Sequence, residues 1–335
     1  TPAFETLTIP PSLPAEQRFI QSSTISMAEH VLSAVFLQLF LLHNFIAGVI
    51  SASFTITNNC EYAVWPGILS NAGVAPIPET GFLLQHGESR TISAPAAWGG
   101  RMWGRTQCSE DSTGKFTCAT GDCGSGKLEC NGNGAAPPAT LIEFTLNGYG
   151  GKDFYDVSLV DGYNLPALVA PRGGDGQNCS ITGCIADLNS ACPSELTVTS
   201  SDGGKVACRS ACDAFQKPEY CCVGSYASPD TCKSSSYSQM FKNACPHAYS
   251  YAYDDGTSTF TCSSSPDYTI TFCPSPNTSQ KSSESQASDT SSNGGSTISS
   301  AMVYSGASSR HASSGILAAM LYAIAITAVS ILIHV

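Results

Sequence analysis

Charge is scarce in this chain. Asp, Glu, Lys and Arg make up 12% of its 335 residues, about half the usual share. Basic residues are scarcer still, 15 Lys and Arg against 26 Asp and Glu, giving a net charge of −11. No basic patch is on offer to a phosphate backbone, which excludes nucleic acid as a partner class. Histidine is nearly missing too: only His86 and His247 fall between residues 52 and 274. Neither sits in an HExxH or beside a nucleophile motif, so both read as surface or packing residues. There is no GxSxG, Walker loop, dinucleotide fingerprint or EF-hand spacing. The sequence therefore calls for no metal and no cofactor. What remains is carboxylate chemistry.

Cysteine, by contrast, is plentiful. All 16 lie between Cys60 and Cys273. In a reducing cytosol so many thiols would need metal; in an exported chain an even number forms a disulfide framework. With every thiol bridged, no thiolate nucleophile exists. The ends of the chain point to export as well. "MAEHVLSAVFLQLFLLHNFIAGVIS", residues 27–51, has a Met start, an apolar run and small residues before Ala52. That pattern fits a secretory signal peptide, with Val49 and Ser51 at −3 and −1 of the cleavage point. Residues 1–26 precede Met27 and are expected to be a non-native upstream segment.

Residues 275–314, rich in Ser, Thr, Asn and Gly, read as a flexible, O-glycosylated stalk. Asn277-Thr278-Ser279 offers an N-glycan acceptor there. Asn178-Cys179-Ser180 is a poorer one, because its middle residue is expected to be bridged. The apolar tail, residues 315–335, is followed by no Lys or Arg that would stop its transfer. Ser305, Gly306 and Ala307 lie ahead of it, and this is the arrangement of a GPI signal, with Ser305 as attachment residue. A spanning tail and the absence of any anchor are the alternatives.

Between signal and stalk, residues 52–274 form the folded unit, and strand signals dominate them. "SFTITNNC" alternates and then meets a turn; "TLIEFTLN" sets Ile142, Phe144 and Leu146 on one face and Leu141, Glu143 and Thr145 on the other. "TSTFTCSSSPDYTITFCP" reads as two closing strands. Frequent Gly and Pro suggest an all-β sandwich rather than βαβ units. From about 185 to 245 cysteines crowd, adjacent Cys221 and Cys222 among them, and short helical patterns appear in "RSACDAFQ" and "YSQMFKNACP".

In "LIEFTLNGYGGKDFYDVSLVDGYNLP", residues 141–166, carboxylates and aromatics recur along strand-like sequence. Glu143 and Asp156 both oppose the apolar face, and Asp161 precedes Gly162, where a turn can re-aim a side chain. Such a row is either the wet face of a sheet or the lining of a sugar-binding cleft.

"GKFTCATGDCGSGKLEC", with "FTITNNC", "MWGRTQC", "EYCC", "CPHAYSYAYDDGTSTFTC" and "YTITFCP", resembles the thaumatin-like, pathogenesis-related group 5 family of secreted plant proteins. The likeness spans residues 52–273 and all sixteen cysteines. It implies a mainly β fold: a thaumatin-like β-sandwich core (52–105, 139–185, 246–274), a disulfide-rich loop and helix domain (186–245) and a small hairpin domain (106–138). It also implies the pairings Cys60–Cys273, Cys108–Cys118, Cys123–Cys130, Cys179–Cys262, Cys184–Cys245, Cys192–Cys208, Cys212–Cys221 and Cys222–Cys232.

The family's acidic cleft, one Arg, one Glu and three Asp, carries over to Arg101, Glu143, Asp156, Asp161 and Asp255, the last taken ahead of Asp254. By the same likeness the ligand is β-1,3-glucan or a related wall polysaccharide. Weak endo-β-1,3-glucanase activity is left open, with Glu143 as acid and Asp156 as its partner. Arg101, Asp161 and Asp255 would orient substrate. The picture is of a monomer, GPI-anchored on the outer face of the plasma membrane or in the wall. Two non-enzymatic alternatives stand beside it: an adhesion or signalling ectodomain, and an inhibitor of a pathogen hydrolase.

Overall fold

The computed structural model describes residues 52–264 and 266–275, with three isolated positions, Ser33, Val35 and Gln38. The signal peptide, the stalk with Asn277, Ser305 and the apolar tail lie outside the described residues. The strands and helices below lie within residues 52–275. Among the described residues no helix is long and apolar enough to cross a membrane.

Alternation builds the first sheet. In β1 (Ser53–Asn58) Phe54 and Ile56 are fully buried while their neighbours are not. β1 pairs antiparallel with β3 (Ser89–Ser93) and parallel with β13 (Asp267–Phe272), far along the chain. β8 (Ala167–Arg172) and β9 (Thr182–Cys184) complete this five-stranded sheet. The second sheet runs β12 (Phe260–Cys262), β7 (Asp153–Ser158), β6 (Leu141–Thr145), β4 (Gly99–Glu110), β2 (Val64–Ser70).

Aromatic rings from both sheets meet in the core between them. Phe54 lies 4.7 Å from Phe144, and Tyr268 lies 4.9 Å from Phe144 and 5.3 Å from Tyr155. Each such pair adds about 0.5–1.5 kcal/mol beyond the area it buries. The buried Tyr268 hydroxyl donates to Asp153 Oδ2 at 2.9 Å, so neither polar group is left unpaired.

Two smaller modules cover the second sheet. The far end of β4 folds against β5 (Phe116–Thr120) as a hairpin closed by Cys108–Cys118, and Cys123–Cys130 ties the loop that follows. Arg105, fully buried, holds this module down by donating to Trp65 O at 3.0 Å and Leu128 O at 2.6 Å. The other module pairs β10 (Thr197–Thr199) with β11 (Lys205–Cys208) and carries short helices. α1 (Ala211–Phe215) is capped by the Ser210 hydroxyl, and α2 (Pro218–Cys221) begins on a proline. α3 (Ser236–Ala244) starts from a capping box of Ser235 and Ser238. Cys184–Cys245, Cys192–Cys208, Cys212–Cys221 and Cys222–Cys232 staple it internally and to the sheets. Cys179–Cys262 and Cys60–Cys273 complete the set, and none of the sixteen thiols is free.

Candidate active site: an acidic cleft

Strand register brings the site together. Arg101 on β4 faces Glu143 on β6 directly, and Glu143 faces Asp156 on β7. The three form one row across the sheet, on the face turned away from the aromatic core. Side chains directly opposite each other stand only about 4.5–5.5 Å apart at Cβ, and two carboxylates in that position repel. Arg101 Nε lies 3.7 Å from Glu143 Oε1 and offsets part of the repulsion. A guanidinium and two carboxyls therefore share one strip of sheet.

The other two carboxylates arrive on loops. Asp161 stands in the turn closed by Gly162 N donating to Leu159 O at 3.0 Å. Gly162 has φ +91°, and a Cβ there would meet Pro138 Cβ at 2.6 Å and Cys208 O at 2.8 Å, so only glycine makes this turn. Asp255 opens α4 (Asp255–Ser258) and accepts the Tyr249 hydroxyl at 2.7 Å. The segment carrying Tyr249 is sewn to β7 by Leu159 N to Tyr249 O at 2.8 Å and Tyr249 N to Val157 O at 2.9 Å. Asp254 turns the other way: Lys242 of α3 meets it at 2.8 Å, and it accepts Ser250 N and Oγ, each at 2.9 Å. Lys242 also donates to Ala248 O and Ser258 Oγ. Thus Asp254 is spent on holding the loop that presents Asp255.

These side chains line an open cleft of about 360 Å³ that takes in Arg101, Glu143, Asp156, Asp161 and Asp255, with Tyr249. Burial raises the pKa of Glu143; Arg101 opposes that shift, and Asp161 adds to it. Asp156 goes further, pushed up to about 8 by burial first and then by the charges of Glu143 and Asp255. Two polar atoms of the row lack hydrogen-bond partners: Arg101 Nε, a donor, and Asp156 Oδ2. Among the described residues no group of His, Cys, Asp or Glu is arranged to hold a metal ion. The arrangement suits an uncharged ligand dense in hydroxyls, each able to accept from Arg101 and to donate to a carboxylate.

Sequence reasoning did not single out Tyr249, Ser158 or Lys242. Nothing in "AYSYAYDDG" separates Tyr249 from Tyr251 and Tyr253, and the clamp on Asp254 comes from another helix. Nor do the aromatics of the 141–166 stretch line the cleft. Phe144 and Tyr155 point into the core, and the lining tyrosine, Tyr249, comes from the 248–258 segment.

Comparison with known proteins finds relatives of this chain. A family model described as the thaumatin family matches residues 58–274. The chain is 57% identical over 228 residues to thaumatin-like protein 1 of Pyrus pyrifolia, covering 68% of this chain and 93% of that protein. It is 53% identical over 227 residues to a Prunus avium protein named glucan endo-1,3-beta-glucosidase, covering 68% and 92%. To a PR5-like receptor kinase of Arabidopsis thaliana it is 56% identical over 241 residues, covering 70% of this chain and 36% of that protein.

Proposed function

This chain belongs to the thaumatin family, and from that premise we propose that its acidic cleft binds β-1,3-glucan. One observation carries the reading: a single cross-strand row of Arg101, Glu143 and Asp156 lines an open polar cleft, and two of its buried atoms, Arg101 Nε and Asp156 Oδ2, have no hydrogen-bond partner. The hydroxyls of a neutral sugar can both donate to and accept from such a row. The Prunus avium relative, named for cleavage of this linkage, supports the choice of polymer.

Weak hydrolysis is the second part of the proposal. It needs one carboxyl that keeps its proton and another that does not. Crowding alone suggested Glu143 for the acid. We assign that role to Asp156, whose pKa lies near 8, and the ionised role to Glu143, which has a guanidinium beside it. Asp161 and Asp255 orient the chain.

The test is incubation of the purified ectodomain with laminarin, reading pull-down and reducing ends together. Glu143→Ala and Asp156→Ala should each weaken binding about tenfold, the equivalent of one lost hydrogen bond of about 1.4 kcal/mol. Reducing ends, if they form with the wild type, should vanish with both variants. Binding unchanged by either substitution would sink the cleft assignment.

The protein is further proposed to act at the cell surface, with a lipid joined at Ser305, an N-glycan at Asn277 and residues 27–51 removed. Phosphatidylinositol-specific phospholipase C should then release it from membranes; a protein that stays bound after the treatment has no such anchor. The receptor-kinase relative favours one alternative, a ligand-binding ectodomain without catalysis. Laminarin pull-down with no reducing ends would select it.

A further inference from the structure

A second pocket opens at the far end of the β2–β4 pair. Leu69 faces Arg101 at the cleft end of that pair, and Val64 faces Thr106 at the other. Thr106 lies five positions along the strand from Arg101, about 17 Å at 3.4 Å per residue. The pocket holds about 290 Å³ and shares no residue with the acidic cleft. Its makeup is the reverse of the cleft's: two aromatic rings, Tyr62 and Trp65, with the amides of Gln107, Asn164 and Asn189, and no charged side chain.

Three features single it out. Tyr62 is 48% exposed and so presents its ring to the pocket's opening. Trp65 is half-buried, while the chain's other two tryptophans, Trp98 and Trp103, are fully buried. The third is Asn189. Its Nδ2 donates both protons to carbonyls, Asn164 O at 2.9 Å and Val206 O at 3.1 Å, which fixes the way the amide points. Oδ1 is left buried with no donor, a deficit of about 1–3 kcal/mol until something donates to it. The Asn164 amide, by contrast, is fully used within the wall by Gly104 O, Thr120 Oγ1 and Thr140 N. Gln107 stands exposed at the lip with left-handed backbone, φ +51°, of the kind that gathers at ligand sites in non-glycine residues.

Aromatic faces, amides in the wall and a lining without charged side chains together describe a receptor for a neutral ring that is apolar on one side and hydroxylated at its edge. We propose that this pocket is a second carbohydrate site, taking one uncharged pyranose unit between Tyr62 and Trp65, with ring hydroxyls paired by the exposed Gln107 amide at the lip. The cleft reads hydroxyls by charge; this pocket reads a ring by its face. The two sites stand or fall separately.

Because Trp65 is the one tryptophan not fully buried, intrinsic fluorescence reports on this pocket. The ectodomain is titrated separately with laminarihexaose, cellohexaose and a high-mannose glycan; the first two stand for wall polymer and the third for a glycoprotein. A saturable change in tryptophan emission is expected with at least one of them. It should persist in Glu143→Gln/Asp156→Asn, weaken at least tenfold in Tyr62→Ala, and survive in Tyr62→Phe, which keeps the ring. Laminarin pull-down weakened in the cleft variant, with the emission change intact, supports both sites. No saturable change with any of the three sugars overturns the proposal, as does a response that Tyr62→Ala leaves unaltered or that the cleft variant abolishes.

Discussion

Asp156→Asn is expected to make the protein more stable at pH 8 and to leave its stability at pH 4 nearly unchanged. The native carboxyl keeps its proton up to about pH 8, whereas an ordinary aspartate, as in the unfolded chain, releases it near 3.8. Across that window the folded state binds more protons than the unfolded one, so raising the pH favours unfolding. Below pH 4 both states are protonated and the penalty disappears; above pH 8 it is complete. Since Asp156 keeps some contact with solvent, the cost is taken as on the order of 2–4 kcal/mol, below the full conversion at ~1.4 kcal/mol per pH unit. Asparagine has the same shape and no charge to bury, and its amide can donate to Glu143 across the strand pair. Guanidinium unfolding of both proteins at pH 4 and pH 8, disulfides intact, reads the effect. The expected pattern is a gap between the variant and wild-type midpoints that is small at pH 4 and wide at pH 8, since the other titrating groups, Glu143 among them, are common to both proteins. A gap of the same size at both pH values would mean that Asp156 is solvated as an ordinary carboxylate. Stability given up to hold a charged cleft is a common feature of binding sites.

Replacing Cys60 and Cys273 together with alanine should be the most damaging removal of any one bridge. These residues follow β1 and β13, which pair in parallel although 213 residues separate the two cysteines. Closing so long a loop restrains the unfolded chain by about 5 kcal/mol on the chain-entropy account. The same account gives about 2 kcal/mol for Cys123–Cys130, whose partners are 7 residues apart. Unfolding midpoints of the two double variants should therefore differ clearly, the Cys60/Cys273 pair losing more. Equal losses would place the stabilising effect of these bridges in local packing instead of loop closure.

Period-two alternation carried much of the fold and part of the site. It told which face of β6 and β7 is apolar, and so which way Glu143 and Asp156 point. It failed wherever both faces of a strand are covered. Leu141 shares parity with Glu143 yet is buried, packed with Trp103, Cys123 and Cys130 beneath the hairpin module. Ser158 shares parity with Asp156 and is also buried, in a strand segment bridged to Tyr249. Arg105 is a charge in the middle of a strand with no local sign that it would be enclosed; its partners, Trp65 and Leu128, are distant in sequence. Asp254 and Asp255 are likewise indistinguishable as neighbours, and a lysine on α3 decides between them. In each case the deciding contact is long-range, which a pattern over a few residues does not contain.

Whether the Arg101–Glu143–Asp156 row holds a neutral β-1,3-glucan is decided by a crystal structure of the ectodomain soaked with laminarihexaose. Glucose units are expected along the cleft, with hydroxyls within hydrogen-bond distance of Arg101 and Asp156, and Asp161 or Asp255 on the opposite side. Sugar bound elsewhere on the protein, with this row left in water, would contradict that placement.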